Sequence, residues 1–264
     1  MTDDSGTGGE FDGLTMVVTG GNGGIGLALA EAVGSAGASV AIWGRNPTKN
    51  TAALAHLEAL GIEALAVSCD VSDEEQVTAA MAATVSRFGR VDSLFANAGI
   101  GGREVPFVDL PMEEWRSVMA VDLDGVFLTF REGARQMVAQ GDGGALVAVS
   151  SIVSRFGAPR KAAYGAAKPA VEGLVRSLAV ELAGAGIRCN ALAPGWTDTD
   201  MVAPSGSFGG SAYDRFREAT LRRTPVRRWG QPADLHAAAR FLADPRATFH
   251  TGDVIVVDGG YSIA

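Results

Sequence analysis

Short apolar runs alternate along this chain with longer stretches in which apolar residues recur at helical spacing. This alternation is typical of β-α-β units and predicts a parallel sheet with helices on both faces. The runs that predict strands are residues 15–19, 39–43, 64–68, 93–96, 145–149, 188–192 and 254–257. The stretches that predict helices include residues 25–36, 73–88, 113–138, 162–183 and 232–242. The expected fold class is therefore α/β, a doubly wound parallel sheet of seven strands with at least six helices in a single domain.

Two segments depart from this rhythm. Residues 1–12 are acidic and Gly-rich and lack the basic and apolar regions of a signal peptide, so we expect a disordered tail before a domain spanning residues 13–264. Residues from about 196 to 230 contain Gly, Pro and an Arg-rich helical stretch. An insertion of this length predicts a lid over a substrate, and the alternative is a simple surface excursion.

Composition excludes several classes of partner. The chain has 30 acidic and 22 basic side chains and a net charge of −8, which argues against nucleic acid or an anionic membrane as a partner. No apolar run approaches the roughly 18 residues that a membrane-spanning helix needs. Cys69, Cys189 and three scattered histidines have no metal-ligand spacing, so no metal site is expected. The sparse cysteines favour the reducing cytoplasm as the location.

A glycine-rich turn follows the first predicted strand and opens the first helix. Glycine allows a sharp turn and lets the backbone approach a pyrophosphate closely, and the free amides of the helix N-terminus attract the anion. In this position the turn predicts a dinucleotide cofactor. The candidate contacts are Gly20, Asn22, Gly24, Ile25 and Gly26.

The residue after the second strand bears on the choice of cofactor. Dinucleotide folds that bind NAD usually place Asp or Glu there to bind the adenosine ribose, but this chain has Gly44-Arg45-Asn46. No carboxylate repels a 2′-phosphate, and the forked guanidinium of Arg45 suits one. The alternative is that Arg45 stacks on adenine or faces solvent. NADP(H) is therefore favoured, and NAD(H) is retained as the second cofactor.

Tyr164 and Lys168 lie one helical turn apart and share a helix face. A free tyrosine has a pKa near 10. A nearby ammonium favours the phenolate, which suits the pair to proton transfer at neutral pH. Ser151 lies 13 residues before Tyr164, just after an apolar run. A Tyr-x-x-x-Lys pair alone is more often solvated helix surface, but the serine and the glycine-rich turn favour a catalytic site.

Together these motifs resemble the short-chain dehydrogenase/reductase family. The resemblance extends over nearly all of residues 14–263 and keeps the family's order and spacing. The matching positions are the turn at 19–26, Asn97-Ala98-Gly99, Ser151, Tyr164 with Lys168, Pro194-Gly195 followed by Thr197 and Thr199, and the ending at 258–261.

The resemblance implies a Rossmann fold and hydride transfer between a nicotinamide and a small ketone or secondary alcohol, with carbonyl reduction by NADPH favoured. Tyr164 would be the general acid or base. Lys168 would lower the tyrosine pKa and bind the nicotinamide ribose, and Ser151 would donate to the substrate oxygen. Further cofactor contacts would come from Asp70 and Val71 at the adenine, from Asn97, Ala98 and Gly99, and from Pro194, Gly195, Thr197 and Thr199 at the nicotinamide.

Two residues depart from the family pattern. Asp122 stands where the family usually has an Asn that holds a helix bend and positions a water in a proton relay. We include Asp122 in the catalytic set, because its charge could raise the pKa of Lys168 and oppose the phenolate. The alternative is that only the backbone matters there. Pro169 follows Lys168 directly, so we expect either a kink or a late start of this helix.

The predicted lid and the family resemblance bear on the substrate and the assembly. Trp196, Met201, Phe208 and Tyr213 in the predicted lid indicate a partly apolar pocket. The resemblance implies a homotetramer. The alternative function is a regulatory or sensing protein that binds the cofactor with weak or no turnover, for which Asp122 and Pro169 are the only support.

Overall fold

The computed structural model describes residues 9–202 and 211–264, and within them seven parallel strands form one sheet. The strand order is β3-β2-β1-β4-β5-β6-β7. The order reverses between β1 and β4, and ligands of such sheets bind in the crevice at the carboxyl ends of these strands. The strands are β1 (Thr15–Thr19), β2 (Ser39–Gly44), β3 (Ala64–Ser68), β4 (Ser93–Ala96), β5 (Gly144–Val149), β6 (Ile187–Pro194) and β7 (Val254–Val257).

Helices cover both faces of the sheet, and each face has its own apolar core. On one face Leu29, Leu57 and Leu242 are buried, and on the other Met81 and Phe130 are buried. Burying each such side chain contributes about 1.5–3 kcal/mol. This arrangement confirms the doubly wound Rossmann fold. The helices are α1 (Gly24–Gly34), α2 (Pro47–Ala59), α3 (Glu74–Phe88), α4 (Met112–Met119), α5 (Gly125–Gln140), α6 (Ala162–Leu182), α7 (Ser211–Arg223) and α8 (His236–Ala243).

The helix predicted over residues 113–138 is not continuous. A π-helical turn, Ala120–Asp124, separates α4 from α5. The turn accompanies a tertiary contact, in which Asp122 Oδ1 accepts the Ile100 amide at 2.7 Å. Helix α2 was not predicted, although Asn46 caps it by accepting the Lys49 amide at 3.0 Å and Pro47 occupies its first turn.

Part of the expected tail belongs to the domain. Residues 1–8 lie outside the described residues, but Phe11 is fully buried and its amide donates to the Ala36 carbonyl at 2.7 Å. Glu10 also pairs with Arg246 at 2.7 Å. The boundary predicted at residue 13 is therefore too late, because an aromatic side chain buried against α1 holds this segment in place.

Candidate active site

The glycine-rich turn places backbone amides at the carboxyl end of β1. Gly20 and Gly24 have positive φ values of 63° and 50°, which favour glycine. A Cβ atom on Gly26 would overlap the Gly20 carbonyl and the side-chain nitrogen of Asn97. Glycine is therefore required where α1 packs against its own turn, and the turn leaves room for the close backbone approach that a pyrophosphate needs.

Thr19 and Asn97 join the two strands that border the crevice. Thr19 Oγ1 accepts the amides of Asn97 and Ala98, each at 3.0 Å. The Asn97 side-chain amide donates a hydrogen bond to the Thr19 carbonyl at 2.9 Å. The predicted cofactor residue Asn97 thus fixes the carboxyl ends of β1 and β4 relative to each other. Thr19 was part of the sequence motif, but its role as the acceptor was missed.

Two predicted cofactor residues, Arg45 and Asp70, face each other beyond β2 and β3. Arg45 Nη1 lies 3.4 Å from Asp70 Oδ2, and the Arg45 side chain is 59% exposed. Burial pushes the pKa of Asp70 up, but hydrogen bonds from Ser72 and the charge of Arg45 outweigh it and hold this pKa below its usual value. An ion pair this exposed is weak, so the guanidinium is free to exchange Asp70 for a phosphate.

Asn22 and Val71 occupy defined positions at the same end of the crevice. Asn22 Nδ2 donates to Asn50 Oδ1 at 2.6 Å, which holds the glycine-rich turn against α2. Val71 is buried, and a Cβ atom on Gly125 would lie 2.7 Å from its Cγ2 atom. The first residue of α5 must therefore be small where it meets the loop after β3.

Tyr164 and Lys168 converge as the helical spacing predicts. Lys168 is only 4% exposed, and its ammonium lies 5.4 Å from the centroid of the Tyr164 ring. The Lys168 ammonium donates to the Val149 carbonyl at 3.1 Å at the end of β5. It also lies 3.4 Å from Asp122 Oδ2. The cation is therefore fixed between the phenol and a carboxylate.

Asp122 is fully buried beside this cation. Burial raises the pKa of the Asp122 carboxyl, although the charge of Lys168 and the Ile100 amide pull in the opposite direction. A Cβ atom built on Gly99 would lie 3.3 Å from Asp122 Oδ2 and 3.5 Å from Lys168 Nζ. The π-helical turn thus brings a buried carboxylate to the position between Gly99 and Lys168.

Ser151 is the N-cap of the short helical turn Ile152–Arg155 that follows β5. Its hydroxyl oxygen accepts the Val153 amide at 3.2 Å. The first turn of α6 lies beside this segment, since a Cβ atom on Gly165 would be 3.9 Å from Val153 Cγ1. The segment that carries the serine therefore packs against the helix that carries Tyr164.

Glu172, which sequence reasoning missed, ties the serine segment to α6. Its Oε1 atom accepts the Ser150 hydroxyl at 2.8 Å and also the Ser154 hydroxyl. Ser154 Oγ further donates to the Ser151 carbonyl at 2.8 Å. The position of Glu172, one turn after Lys168 on the same face, was the available signal.

Pro169 lies inside α6, which begins at Ala162. The late helix start offered as one explanation is therefore wrong. Proline has no N–H to donate to the carbonyl four residues earlier, that of Gly165. Lys168 nevertheless keeps its place, held by the Val149 carbonyl and Asp122.

The segment after β6 reaches back to the glycine-rich turn. Pro194 ends β6, and Gly195 packs so tightly on the C-terminal turn that a Cβ atom there would lie 2.6 Å from Asp258 Cα. The Thr197 hydroxyl donates to the Gly195 carbonyl at 3.1 Å. Thr199 Cγ2 lies 3.3 Å from where Gly24 would carry a Cβ atom. This segment therefore closes one side of the crevice.

Aromatic side chains support the segment predicted as a lid. Trp196 meets Phe216 edge to face at 4.8 Å between ring centroids and stacks on Trp229 at 6.1 Å. Tyr213 packs edge to face on Trp229, and the Arg217 guanidinium lies 4.7 Å from the Trp229 ring centroid. Residues 203–210 lie outside the described residues, and Phe208 with them. The lid over residues 196–230 stays a prediction.

Comparison with known proteins identifies the family. The family described as enoyl-(acyl carrier protein) reductase matches residues 20–262. A cis-4-hydroxycyclohexanecarboxylate dehydrogenase of Sinomonas cyclohexanicum is 41% identical, over 93% of this chain and 95% of the relative. An L-rhamnose 1-dehydrogenase (NAD(P)(+)) of a Sphingomonas strain is 37% identical, over 95% of this chain and 96% of the relative.

A solved structure supports the same assignment. A gluconate 5-dehydrogenase from Burkholderia cenocepacia, crystallised with NADP and tartrate, matches with a TM-score of 0.87 and 35% identity, covering 96% of each chain. NADP is bound in that structure and NAD(P)(+) stands in the name of the rhamnose dehydrogenase, so both relatives agree with the cofactors expected from the sequence. The chain belongs to the short-chain dehydrogenase/reductase family and is an NAD(P)-dependent oxidoreductase of ketones and secondary alcohols.

Proposed function

We propose that Ser151, Tyr164 and Lys168 carry out the proton transfer of this oxidoreductase and that carbonyl reduction is its main direction. The observation that carries the proposal is the position of the Lys168 ammonium, buried 5.4 Å from the Tyr164 ring centroid. A buried cation beside a phenol stabilises the negative charge that the phenol oxygen gains when it gives up its proton.

A nicotinamide cofactor held in the crevice would supply the hydride for reduction and take it up in oxidation. The Tyr164 hydroxyl donates its proton to the substrate carbonyl oxygen, and in oxidation it accepts the proton of the alcohol. The Ser151 hydroxyl donates a hydrogen bond to the same substrate oxygen as negative charge develops on it. Lys168 stabilises the resulting charge on the Tyr164 oxygen. Glu172 holds the serine segment, through Ser150 and Ser154, in the register that this geometry needs.

We expect the crevice to hold the dinucleotide along its whole length. The amides of the glycine-rich turn would hold the pyrophosphate, because glycine leaves that backbone uncovered. Arg45, Asp70 and Val71 would hold the adenosine end. The residues that would surround the nicotinamide and its ribose are Asn97, Ala98, Gly99, Lys168, Pro194, Gly195, Thr197 and Thr199.

Arg45 is expected to make NADPH bind at least tenfold more tightly than NADH, about 1.4 kcal/mol. Arg45→Ala should remove most of that difference by weakening NADPH, because only NADPH carries the 2′-phosphate. Parallel calorimetric titrations measure the two affinities. Arg87→Ala is the matched control, since Arg87 is an exposed arginine paired with Glu63 and lies on α3, outside the crevice. Tighter binding of NADH by the wild-type protein would overturn this role of Arg45.

The names of the relatives indicate the general class of substrate. Two of the three relatives described above are named for hydroxy carboxylates and the third for a neutral sugar. The aromatic cluster around Trp196 offers apolar walls beside the crevice. Substrate tests should therefore begin with secondary alcohols and ketones of small size, both neutral and carboxylate-bearing.

A sensing protein without turnover is the second candidate. Its support is the departure at Asp122, which introduces a buried carboxylate next to the catalytic lysine. The convergence of Tyr164 and Lys168 favours the enzyme, since a sensor needs only the cofactor crevice. The Tyr164→Phe variant separates the two, because an enzyme would lose its rate and keep cofactor binding.

A homotetramer is expected in solution. Apolar side chains are exposed near α4 and on α6, including Phe107, Val108, Met112 and Val180, and Phe249 is exposed near the C-terminal strand. Apolar patches of this kind favour association. Sedimentation velocity at micromolar concentration should return the mass of four chains of 27.1 kDa. A monomer under those conditions would remove the proposal.

We also place the protein in the cytoplasm. Cys69 and Cys189 are free and buried. Burial raises the pKa of each thiol to about 12. Such thiols stay protonated and unreactive, which is compatible with a reducing compartment. The described helices include none that is long and apolar enough to cross a membrane.

A further inference from the structure

A second lysine, Lys161, lies near the catalytic centre and has no role in the reaction described above. It precedes α6 directly and stands three residues before Tyr164. Its ammonium donates to the carbonyls of Gly101 and Gly102, at 3.1 and 2.8 Å. These glycines continue the loop that begins at Gly99, next to the ammonium of Lys168. One loop therefore runs from the catalytic lysine to this second cation.

Lys161 has no ion-pair partner among the residues that the structure describes, and only Glu104 and Glu114 act on its charge from a distance. Among residues 9–202 and 211–264, no carboxylate lies within ion-pair distance of its ammonium. Glu114 is engaged by Arg103 at 3.0 Å, and Glu104 acts on the lysine only at longer range. Burial lowers the pKa of Lys161 against the pull of these two glutamates. The ammonium has also used only two of its three donors on the loop.

Another buried cation shows why the location matters. Arg188 also donates to backbone carbonyls, those of Leu242 at 2.9 Å and Asp244 at 2.6 Å. Arg188 is the second residue of β6, however, and so lies at the end of the sheet opposite the crevice. Its carbonyl contacts join α8 to the sheet, which is a structural task.

Lys161 lies instead at the carboxyl edge, beside the segment that follows β6. A Cβ atom on Gly101 would lie 3.9 Å from Lys161 Nζ and 3.8 Å from Met201 Cγ. The cation is thus bounded by the loop after β4, by the start of the helix that carries Tyr164, and by Met201. Substrates of open α/β sheets bind at this edge.

We propose that Lys161 binds a carboxylate of the substrate, so that the enzyme acts on hydroxy and oxo carboxylates. The proposal rests on the proposed function, since it places the substrate carboxylate near the carbonyl or alcohol group with which Tyr164 exchanges a proton. A partly desolvated ammonium attracts a carboxylate more strongly than an exposed one does. The carboxylate would take the third donor and supply the ion-pair partner that Lys161 does not find among the described residues.

The first test measures binding without turnover. Protein saturated with NADP⁺ is titrated with cyclohexanecarboxylate and with cyclohexanecarboxamide, which has the same ring and no charge. The wild-type protein should bind the acid at least tenfold more tightly. Lys161→Arg should keep this preference, and Lys161→Gln, which retains donors for the two glycine carbonyls, should lose it. Equal affinity for the acid and the amide in the wild-type protein would overturn the proposal.

The second test uses the reaction. The ratio of kcat/KM for 3-hydroxybutyrate to that for its methyl ester is measured in the wild-type protein and in Lys161→Gln and Lys161→Met. The ratio should fall tenfold or more in both variants, whose folding is checked by thermal unfolding. A lysine that merely fastens the loop would lower both rates and leave the ratio unchanged, which would refute the subsite. If no alcohol is oxidised while the acid still binds through Lys161, the proposed function fails and the subsite stands.

Discussion

Tyr164→Phe is expected to lower kcat/KM for carbonyl reduction by about 10²–10⁴-fold, the usual contribution of a positioned general acid. The variant keeps the ring 5.4 Å from the Lys168 ammonium and loses only the hydroxyl that donates the proton. Cofactor affinity should therefore stay close to that of the wild-type protein. Steady-state rates together with a calorimetric titration with NADPH measure both quantities.

Tyr261→Phe is the matched control for the loss of a phenol hydroxyl. Tyr261 is buried against Phe156 and Trp196, and its ring contacts do not involve the hydroxyl. We expect this variant to keep most of the rate. A wild-type protein that binds NADPH but reduces no ketone, or a Tyr164→Phe variant as active as the wild type, would favour the sensing protein.

The convergence of Tyr164 and Lys168 could be predicted because it depends on local rules. The helical spacing of Tyr164 and Lys168 places both on one face, and parallel strands end at one edge of a sheet. The rule for parallel strands also placed the glycine-rich turn at that edge, whereas Asn97 was expected there from the family resemblance. The sheet and its carboxyl edge could therefore be predicted without any knowledge of side-chain contacts.

The contacts that sequence reasoning missed join residues distant in the chain. Glu172 accepts hydroxyls from a loop about 20 residues earlier, with separations of 22 and 18 residues. Lys161 donates to carbonyls 60 and 59 residues away. Ser, Glu and Lys are ordinary surface residues in a pattern of polar and apolar positions, so only the packed fold reveals that they are partly buried.

The break between α4 and α5 was not predicted from the apolar pattern, although the family resemblance implied a helix bend at Asp122. The apolar pattern over residues 113–138 was interpreted as one helix, and that pattern alone did not mark the π-helical turn at Ala120–Asp124. What holds Asp122 in place is the Ile100 amide, which belongs to a different loop. Phe11 shows the same limit, since an acidic, Gly-rich context predicted disorder while one aromatic ring packs into the core.

Asp122→Ala is expected to lower the free energy of unfolding by about 3–5 kcal/mol, because removing one partner of a buried ion pair leaves the other charge uncompensated. The Lys168 ammonium would keep only the Val149 carbonyl, and the Ile100 amide would lose its acceptor. Urea unfolding at pH 7 measures the loss. A loss below about 1 kcal/mol would mean that the pair contributes little to stability.

Asp122→Asn separates the charge of this side chain from its shape, because asparagine keeps an acceptor for the Ile100 amide. Burial raises the pKa of Asp122 above its ordinary value of 3.8. The carboxyl therefore contributes stability that is fully present below pH 3.8 and is lost as the pH rises through the raised pKa. Since asparagine does not titrate, the stability of the variant relative to the wild-type protein should increase as the pH rises through this acidic range.

The same substitution is expected to shift the pH dependence of the reaction. The negative charge of Asp122, 3.4 Å from the Lys168 ammonium, opposes the negative charge that Tyr164 carries when it acts as a base. Removing it should let alcohol oxidation reach half its maximal rate at a lower pH than in the wild-type protein. An unchanged pH–rate profile with stability altered as above would mean that Asp122 shapes the π-helical turn and leaves proton transfer untouched. A shifted profile would make Asp122 the residue through which this chain sets its working pH.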